Sequence, residues 1–254
     1  MAGHIIYGAR KYITPFSVEE EEYVAEAVTF DGSDYLKTTT GAATTNSGLL
    51  TFSCWFKTGN TATRVILWHR NDSSPYGGVW IQLAAGDTFS LVCEGDLAAK
   101  YWTMSTVTTY TDDVWHHVLA SIDTSDKSIS KLYIDDSNYT FADSWSTSGD
   151  ITFNYATAAV GARSNGTIPW YEDLAEVYYA PGEYLDLTVE SNRRKFIDAD
   201  GKPVNLLTSG APDPLIYCKG IASTWNAGTQ YGSSSGWSMT GSVADSSNEP
   251  VELP

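Results

Sequence analysis

The sequence predicts an all-β protein in which two antiparallel sheets pack face to face as a sandwich. Three observations carry that expectation. About a dozen short runs alternate apolar and polar residues at the strand period of two, with turn residues between them at sandwich spacing. The composition, with 9 Trp, 16 Tyr and 21 Gly in 254 residues, suits many short strands better than a helical bundle. The third observation is the stretch from Asp113 to Asn138. Val114, His116, Val118, Ala120 and Ile122 fall on one side of a strand, and Trp115, His117, Leu119 and Ser121 on the other. A polar tip from Asp123 to Ser128 reverses the chain, and Leu132 and Ile134 alternate with Ser130, Lys131 and Tyr133 on the return. This reads as an antiparallel hairpin with one packed side.

In chain order, residues 1–26 stand apart as an N-terminal arm. Ile5, Ile6, Tyr7, Tyr12, Ile13 and Phe16 lack a sustained period, and the run Glu19 to Glu22 follows. The arm reads either as a segment that docks on a partner or as a loosely held terminus. Residues 27–180 form the sandwich. Val28 and Phe30 precede an Asp31-Gly32 turn, then Tyr35 and Leu36 resume. Phe52, Cys54 and Phe56 share one strand face, with Ser53, Trp55 and Lys57 on the other. The run Arg64 to His69 is apolar enough for a strand buried on both sides. A hairpin around Ala84-Ala85-Gly86-Asp87 aligns Val79, Ile81 and Leu83 with Phe89, Leu91 and Cys93. A weaker strand over 101–107 precedes the Trp115 hairpin, and runs at 151–154, 157–163 and 172–180 complete the core.

Residues 181–254 are read as a helix plus a small β extension and tail. Asp186 or Thr188 caps a helix whose Val189, Arg193, Phe196 and Ile197 recur at helical spacing. Asp200-Gly201-Lys202-Pro203 stops it. The runs 214–218 and 236–243 read as two more strands, an added edge or lobe before an acidic, Pro-ended tail.

The formal charge of −16 argues against a nucleic-acid partner, which needs clustered Lys and Arg. No run approaches the ~20 apolar residues of a membrane span, and the first residues lack a signal-peptide core. Cys54, Cys93 and Cys218 are odd in number and point inward by strand alternation, which predicts buried free thiols and folding in a reducing cytoplasm. Their wide spacing speaks against a structural metal site.

Three motifs carry a family resemblance. "FDGSDYL" at 30–36, "WHHV" at 115–118 and "KLYIDD" at 131–136 resemble the laminin G-like and pentraxin-like branch of the concanavalin A-like jelly rolls. Asp136 stands where that family usually has Gly, a departure expected to affect only the turn. The stretch "LAEVYYAPGEYLDLTVESNRRKFIDADGKPVNL", then "PLIYCKG" and "WNAGTQYGSSSGWSMTGSVADSS", resembles laminin G-like proteins of tailed bacteriophages and prophages. The resemblance spans roughly residues 27 to 246. It implies a jelly-roll virion component: a tail, fibre or capsid-surface decoration protein without a catalytic role, made in the bacterial host cytoplasm. The arm and C-terminal extension would contact other virion proteins, and a host-surface glycan would be a ligand. Exposed strand edges favour a homo-oligomer.

Enzymatic readings find little footing. Glu172 and Glu176 fall on one face of a strand with Leu174 between them, ~13 Å apart, against the ~5–9.5 Å of glycosidase carboxyl pairs. His116, between Val114 and Val118, reads as a satisfied core histidine. No nucleophile elbow, zinc-protease motif or phosphate-cradling loop is present. Binding is the stronger alternative, because sugar sites place aromatic platforms beside polar groups. One such cluster joins Trp68, Arg70, Asn71, Asp72 and Tyr76, with His69 in the same run; a second joins Arg163, Asn165, Trp170 and Tyr171. The alternative is that Trp68 and Trp170 merely cap the sandwich ends. The family often holds Ca2+ in loop carboxylates, and Asp112-Asp113 and Asp135-Asp136 are oxygen-rich, but neither has the dense acid pattern of a calcium loop. No cofactor or metal is assigned, and Ca2+ stays an open alternative.

Overall fold

A computed structural model describes residues 23–71, 77–95, 101–110, 112–146 and 148–250; the arm through Glu22 and the tail from Val251 lie outside them. In chain order the strands are β1 (Val28–Asp31), β2 (Tyr35–Thr38), β3 (Leu49–Lys57), β4 (Arg64–Arg70), β5 (Gly78–Leu83), β6 (Thr88–Glu94), β7 (Tyr101–Thr109) and β8 (Trp115–Asp123). There follow β9 (Lys131–Ile134), β10 (Ser137–Tyr139), β11 (Ala142–Trp145), β12 (Ala158–Val160), β13 (Tyr171–Pro181) and a single helical turn, α1 (Glu190–Arg193). The chain ends with β14 (Ile216–Cys218), α2 (Ala222–Asn226), β15 (Trp237–Thr240) and β16 (Ala244–Asp245).

The strands form two antiparallel sheets of eight, an all-β sandwich of the jelly-roll type. The first runs β10-β9-β8-β3-β13-β1-β16, with β14 also paired to β13; the second runs β11-β7-β6-β5-β4-β12-β2-β15. Between them lies one continuous core. Phe52, Cys54 and Phe56 of β3 and Val118, Ala120 and Ile122 of β8 meet Ile66 and Leu67 of β4, Val79 and Ile81 of β5, and Leu91 and Cys93 of β6. The β5–β6 hairpin pairs Val79 with Cys93, Ile81 with Leu91 and Leu83 with Phe89, the register that alternation predicts. Cys54, Cys93 and Cys218 are buried free thiols.

The β8–β9 hairpin is packed on both sides, not one. Leu119 and Tyr133 on its outer face enter a second core with Tyr178, Leu187, Phe196, Leu206 and Tyr217. Trp115 enters a third with Trp55, Ala175 and Ile197. The C-terminal third supplies most of this cover, and it also lengthens the sheets: β14 and β16 bond to β13 and β1 of the first, β15 to β2 of the second. A period-two pattern marks one face as apolar but cannot show what a distant segment lays over the other.

The predicted helix shrinks to the one turn of α1. Asp186 accepts the Thr188 backbone N–H at 2.9 Å and its hydroxyl at 2.6 Å, so it closes a turn ahead of the helix. Phe196 and Ile197 follow in tight turns and still reach the second and third cores. A second helix, α2, was not foreseen from the sequence; it buries Trp225, whose ring meets Phe30 edge-on at 5.8 Å. Where residues 151–154 suggested a strand, the segment makes the isolated bridge between Ser47 and Ile151 and single backbone bonds, Thr152 N–H to the Glu94 carbonyl at 3.0 Å and Thr44 N–H to the Phe153 carbonyl at 2.9 Å, without a continuous ladder.

The departure at Asp136 reaches further than its turn. Asp135 and Asp136 both take left-handed backbone angles, φ 52° and 55°, where Gly is the unstrained choice. In exchange, the Asp136 carboxylate accepts Arg193 at 2.8 Å and Arg194 at 2.7 Å. A turn that Gly would leave chemically mute here clamps the C-terminal cover to the sandwich.

Candidate binding surface

A β-bulge in β4 builds the surface. The register to β5 slips between Val65 and Leu67, so Ile66 and Leu67 both enter the main core and Trp68 turns outward with Val65. Trp68 lies opposite Trp80 of β5 and Ala159 of β12, and the two indoles sit 6.0 Å apart at 41°. Arg70 spreads over both rings, its guanidinium 4.5 Å from the Trp80 centroid and 5.5 Å from that of Trp68. Two of its nitrogens donate to one Glu94 carboxylate oxygen, at 3.0 and 2.8 Å. Arg163, from the loop after β12, lays its guanidinium 4.8 Å over the Trp68 ring. Cation–π stacking of this kind contributes about 0.5–2 kcal/mol per pair, and more as water is excluded.

Part of the two sequence-predicted clusters therefore converges: Trp68, Arg70 and Arg163 meet on the outer face of the second sheet. Trp68 itself is 1% exposed, roofed by the arginines and Ile168, so the accessible surface is made by half-buried Trp80, Arg70 and Arg163. Asn71 donates its backbone N–H to Gly77 at 3.2 Å and closes the loop whose Asp72 and Tyr76 lie outside the described residues. Asn165 uses its side-chain oxygen on the Thr167 N–H and hydroxyl, which shapes the turn that carries Arg163. Tyr171 opens β13 opposite Asp31, its ring against Gly32.

Trp170 is not a platform. It is 0% exposed in the main core, edge-on to Phe56 at 6.2 Å, with the Arg64 guanidinium 5.6 Å over its ring. Trp80 and Glu94 were missed from the sequence: the predicted hairpin joins β5 to β6, whereas Trp80 reaches Trp68 through the separate pairing of β5 with β4. The signal was the pairing of two tryptophans across neighbouring strands.

Glu172 and Glu176 do not converge as a carboxyl pair. A second bulge, between Ala175 and Tyr178, turns Glu176 to the outer face while Leu174 points into the core, so Glu172 and Glu176 do not share a face as strict alternation predicts. Glu176 is 2% exposed and accepts the hydroxyls of Tyr23, at 2.7 Å, and Tyr217. Burial raises its pKa, against the pull of those hydroxyls and Lys219. Glu172 accepts the Gly59 backbone N–H.

His116 bridges Asp135 at 2.7 Å and Asp112 at 3.0 Å. Burial works against its charge, but the two carboxylates outweigh burial and raise its pKa. His117, on the opposite side, pairs with the Ser53 hydroxyl at 2.9 Å, and burial lowers its pKa to about 4. Asp113 faces Lys57 at 3.2 Å, and Asp136 faces its two arginines. All four acids of the oxygen-rich pairs thus meet basic side chains, a poor setting for a cation. Among the described residues no group of three or more His, Cys, Asp or Glu is placed to hold a metal ion.

A family model described as the concanavalin A-like lectin/glucanases superfamily matches residues 30–178, more than half of the chain. The chain belongs to that superfamily. Among solved structures, this superfamily member is similar to a protein from Bacteroides ovatus provisionally named as carbohydrate binding, at 12% identity over 91% of this chain and 62% of that one, with a TM-score of 0.60. Others are the native heptameric SAP-like pentraxin from Limulus polyphemus, at 13% identity over 77% and 92% with a TM-score of 0.49, and domains LG4-5 of the mouse laminin alpha1 chain, at 16% over 69% and 48% with a TM-score of 0.47. At 12% identity the likeness to the Bacteroides ovatus protein establishes the fold alone. No curated protein matches the chain. Among the described residues no helix is long and apolar enough to cross a membrane.

Proposed function

We propose that the protein is a non-enzymatic binding and assembly module that attaches to glycan through the outer face of its second sheet. The observation that carries this reading is the stack of Arg70 and Arg163 on Trp68 and Trp80. Strands β4 and β5 and the loop after β12 meet there, and half-buried aromatic and guanidinium groups form a surface suited to sugar rings and hydroxyls. The engaged state of Glu172 and Glu176 supports a role without hydrolysis.

At its finest, the proposal is a structural component of a tailed-phage virion, on the tail, fibre or capsid surface, that touches host-surface glycan and other virion proteins. That part is supported by the sequence resemblance of the C-terminal third. A glycan array tests attachment: wild type binds, Trp80→Ala and Arg163→Ala lose binding while staying folded, and failure of wild type to bind any glycan removes the claim. Mass spectrometry of purified particles tests the virion role, and absence of the chain from them overturns it.

A further inference from the structure

We infer that the C-terminal third carries a second ligand site: a cavity on the outer face of the first sheet that takes a single neutral sugar ring. The ligand class rests on the glycan-binding reading above, but the residues are separate from it. The cavity holds about 290 Å³ and is walled by Leu207, Thr208, Pro212, Asp213, Tyr217 and Tyr231, among others. That is near the lower end of the roughly 300–1,000 Å³ of drug-sized sites, which suits one ring and not an oligosaccharide.

Its walls are fixed without a ligand. Tyr178 donates its hydroxyl to the Pro212 carbonyl at 2.8 Å. The Asn205 carbonyl accepts the Thr208 and Ser209 N–H groups, both at 3.0 Å, and so shapes the loop. Tyr231 donates its N–H to the Tyr217 carbonyl at 2.8 Å. Lys219 reaches the Asn205 side-chain oxygen at 3.3 Å and ties loop to strand. A site already in shape loses little ordering entropy on binding.

The mouth is chemically open. Leu207 and Tyr231 are 52% and 43% exposed, unusual for large apolar side chains on one rim. The Tyr231 hydroxyl and the Asp213 carboxylate enter no hydrogen bond or ion pair among the described residues. A ring face beside an open carboxylate would also suit a cation, but the Lys219 ammonium already lies 5.7 Å from both the Tyr217 and Tyr231 centroids and repels a second positive charge. Asp213 and the net charge of −16 repel anions. A neutral polyol satisfies what remains: its C–H face covers Tyr231, and its hydroxyls donate to Asp213 and accept from the Tyr231 hydroxyl.

The test titrates methyl β-galactopyranoside and methyl β-glucopyranoside separately into the 15N-labelled full chain, followed by amide shifts. At least one glycoside should move the amides of Leu207 to Asp213 and of Tyr231. Tyr231→Ala and Asp213→Asn should each weaken that binding about tenfold or more, and Arg163→Ala should leave it unchanged. The exposure of both side chains lets the variants fold, which their amide spectra report. Binding abolished by Arg163→Ala and untouched by Tyr231→Ala would overturn this site and leave the attachment reading standing. Silence at these amides with both glycosides, or equal shifts from methylamine or acetate, would also overturn it.

Discussion

Replacing Trp170 by Ala separates a core role from a binding role. The indole is 0% exposed, so truncation opens a cavity in the main core at a cost of about 3–5 kcal/mol. It also strips the Arg64 guanidinium of its aromatic cover, about 1–2 kcal/mol more for a desolvated cation. The sum, about 4–7 kcal/mol, is a large share of the roughly 5–15 kcal/mol that hold a typical domain together. It should lower the melting temperature by about 10–25 °C at a few degrees per kcal/mol. Trp170→Phe should cost only about 1–2 kcal/mol, because the indole N–H has no hydrogen-bond partner among the described residues and a ring stays in place. Urea denaturation followed by far-UV circular dichroism measures both, and a glycan array on the folded variants reads binding. If Trp170→Ala keeps wild-type stability to within about 1 kcal/mol and loses glycan binding, the assignment of Trp170 to the core is refuted.

Further outcomes follow from other contacts. Asp136→Asn tolerates the left-handed turn but gives up the charge on which Arg193 and Arg194 converge, and should cost about 1 kcal/mol at neutral pH after allowance for solvent screening. The Asp136 pKa is lowered because its two arginines outweigh burial, so the stabilisation is complete above the ordinary carboxylate pKa and fades as pH falls through the lower folded value. Denaturation of the two proteins should converge at acid pH; a constant gap would contradict the pairing. Phe196→Ala, in the second core against Tyr178 at 5.2 Å, should cost about 3–5 kcal/mol and speed proteolysis of the C-terminal third, read by limited digestion. Burial lowers the pKa of His69 and His117 to about 4, so these two rings cost stability as pH falls from about 6.5 towards 4. His116, whose raised pKa works the other way, offsets part of this, and the His116→Gln protein should show the loss undiluted. A flat profile across that window would mean the two rings are not held neutral.

Much of the sandwich was legible in the sequence because strand alternation is local physics. The β5–β6 register, the inward thiols and the opposite faces of His116 and His117 all follow from a period of two. What alternation misses is where the period breaks. The bulge in β4 sends Ile66 and Leu67 the same way and frees Trp68 to face out, and the bulge after Ala175 separates Glu176 from Glu172. For Trp170 local pattern leaves two readings open, platform or cap, and its burial agrees with the second: an aromatic residue in a loop-like run of polar neighbours can be the one that plugs the sandwich. The second core was invisible because its partners, Leu119 and Phe196, lie far apart in sequence. The convergence of Arg163 on Trp68 depends on β12 pairing with β4, a long-range choice that no local signal records.

The three sequestered sulfhydryls give the molecule a built-in stopwatch. Cys54 sits mid-sheet in β3, Cys93 in β6 of the facing layer and Cys218 in β14 of the C-terminal addition, each without solvent access. A thiol reagent can mark each only when its own region parts from the rest, so three labelling rates, resolved by peptide mapping, would rank how often each layer breathes.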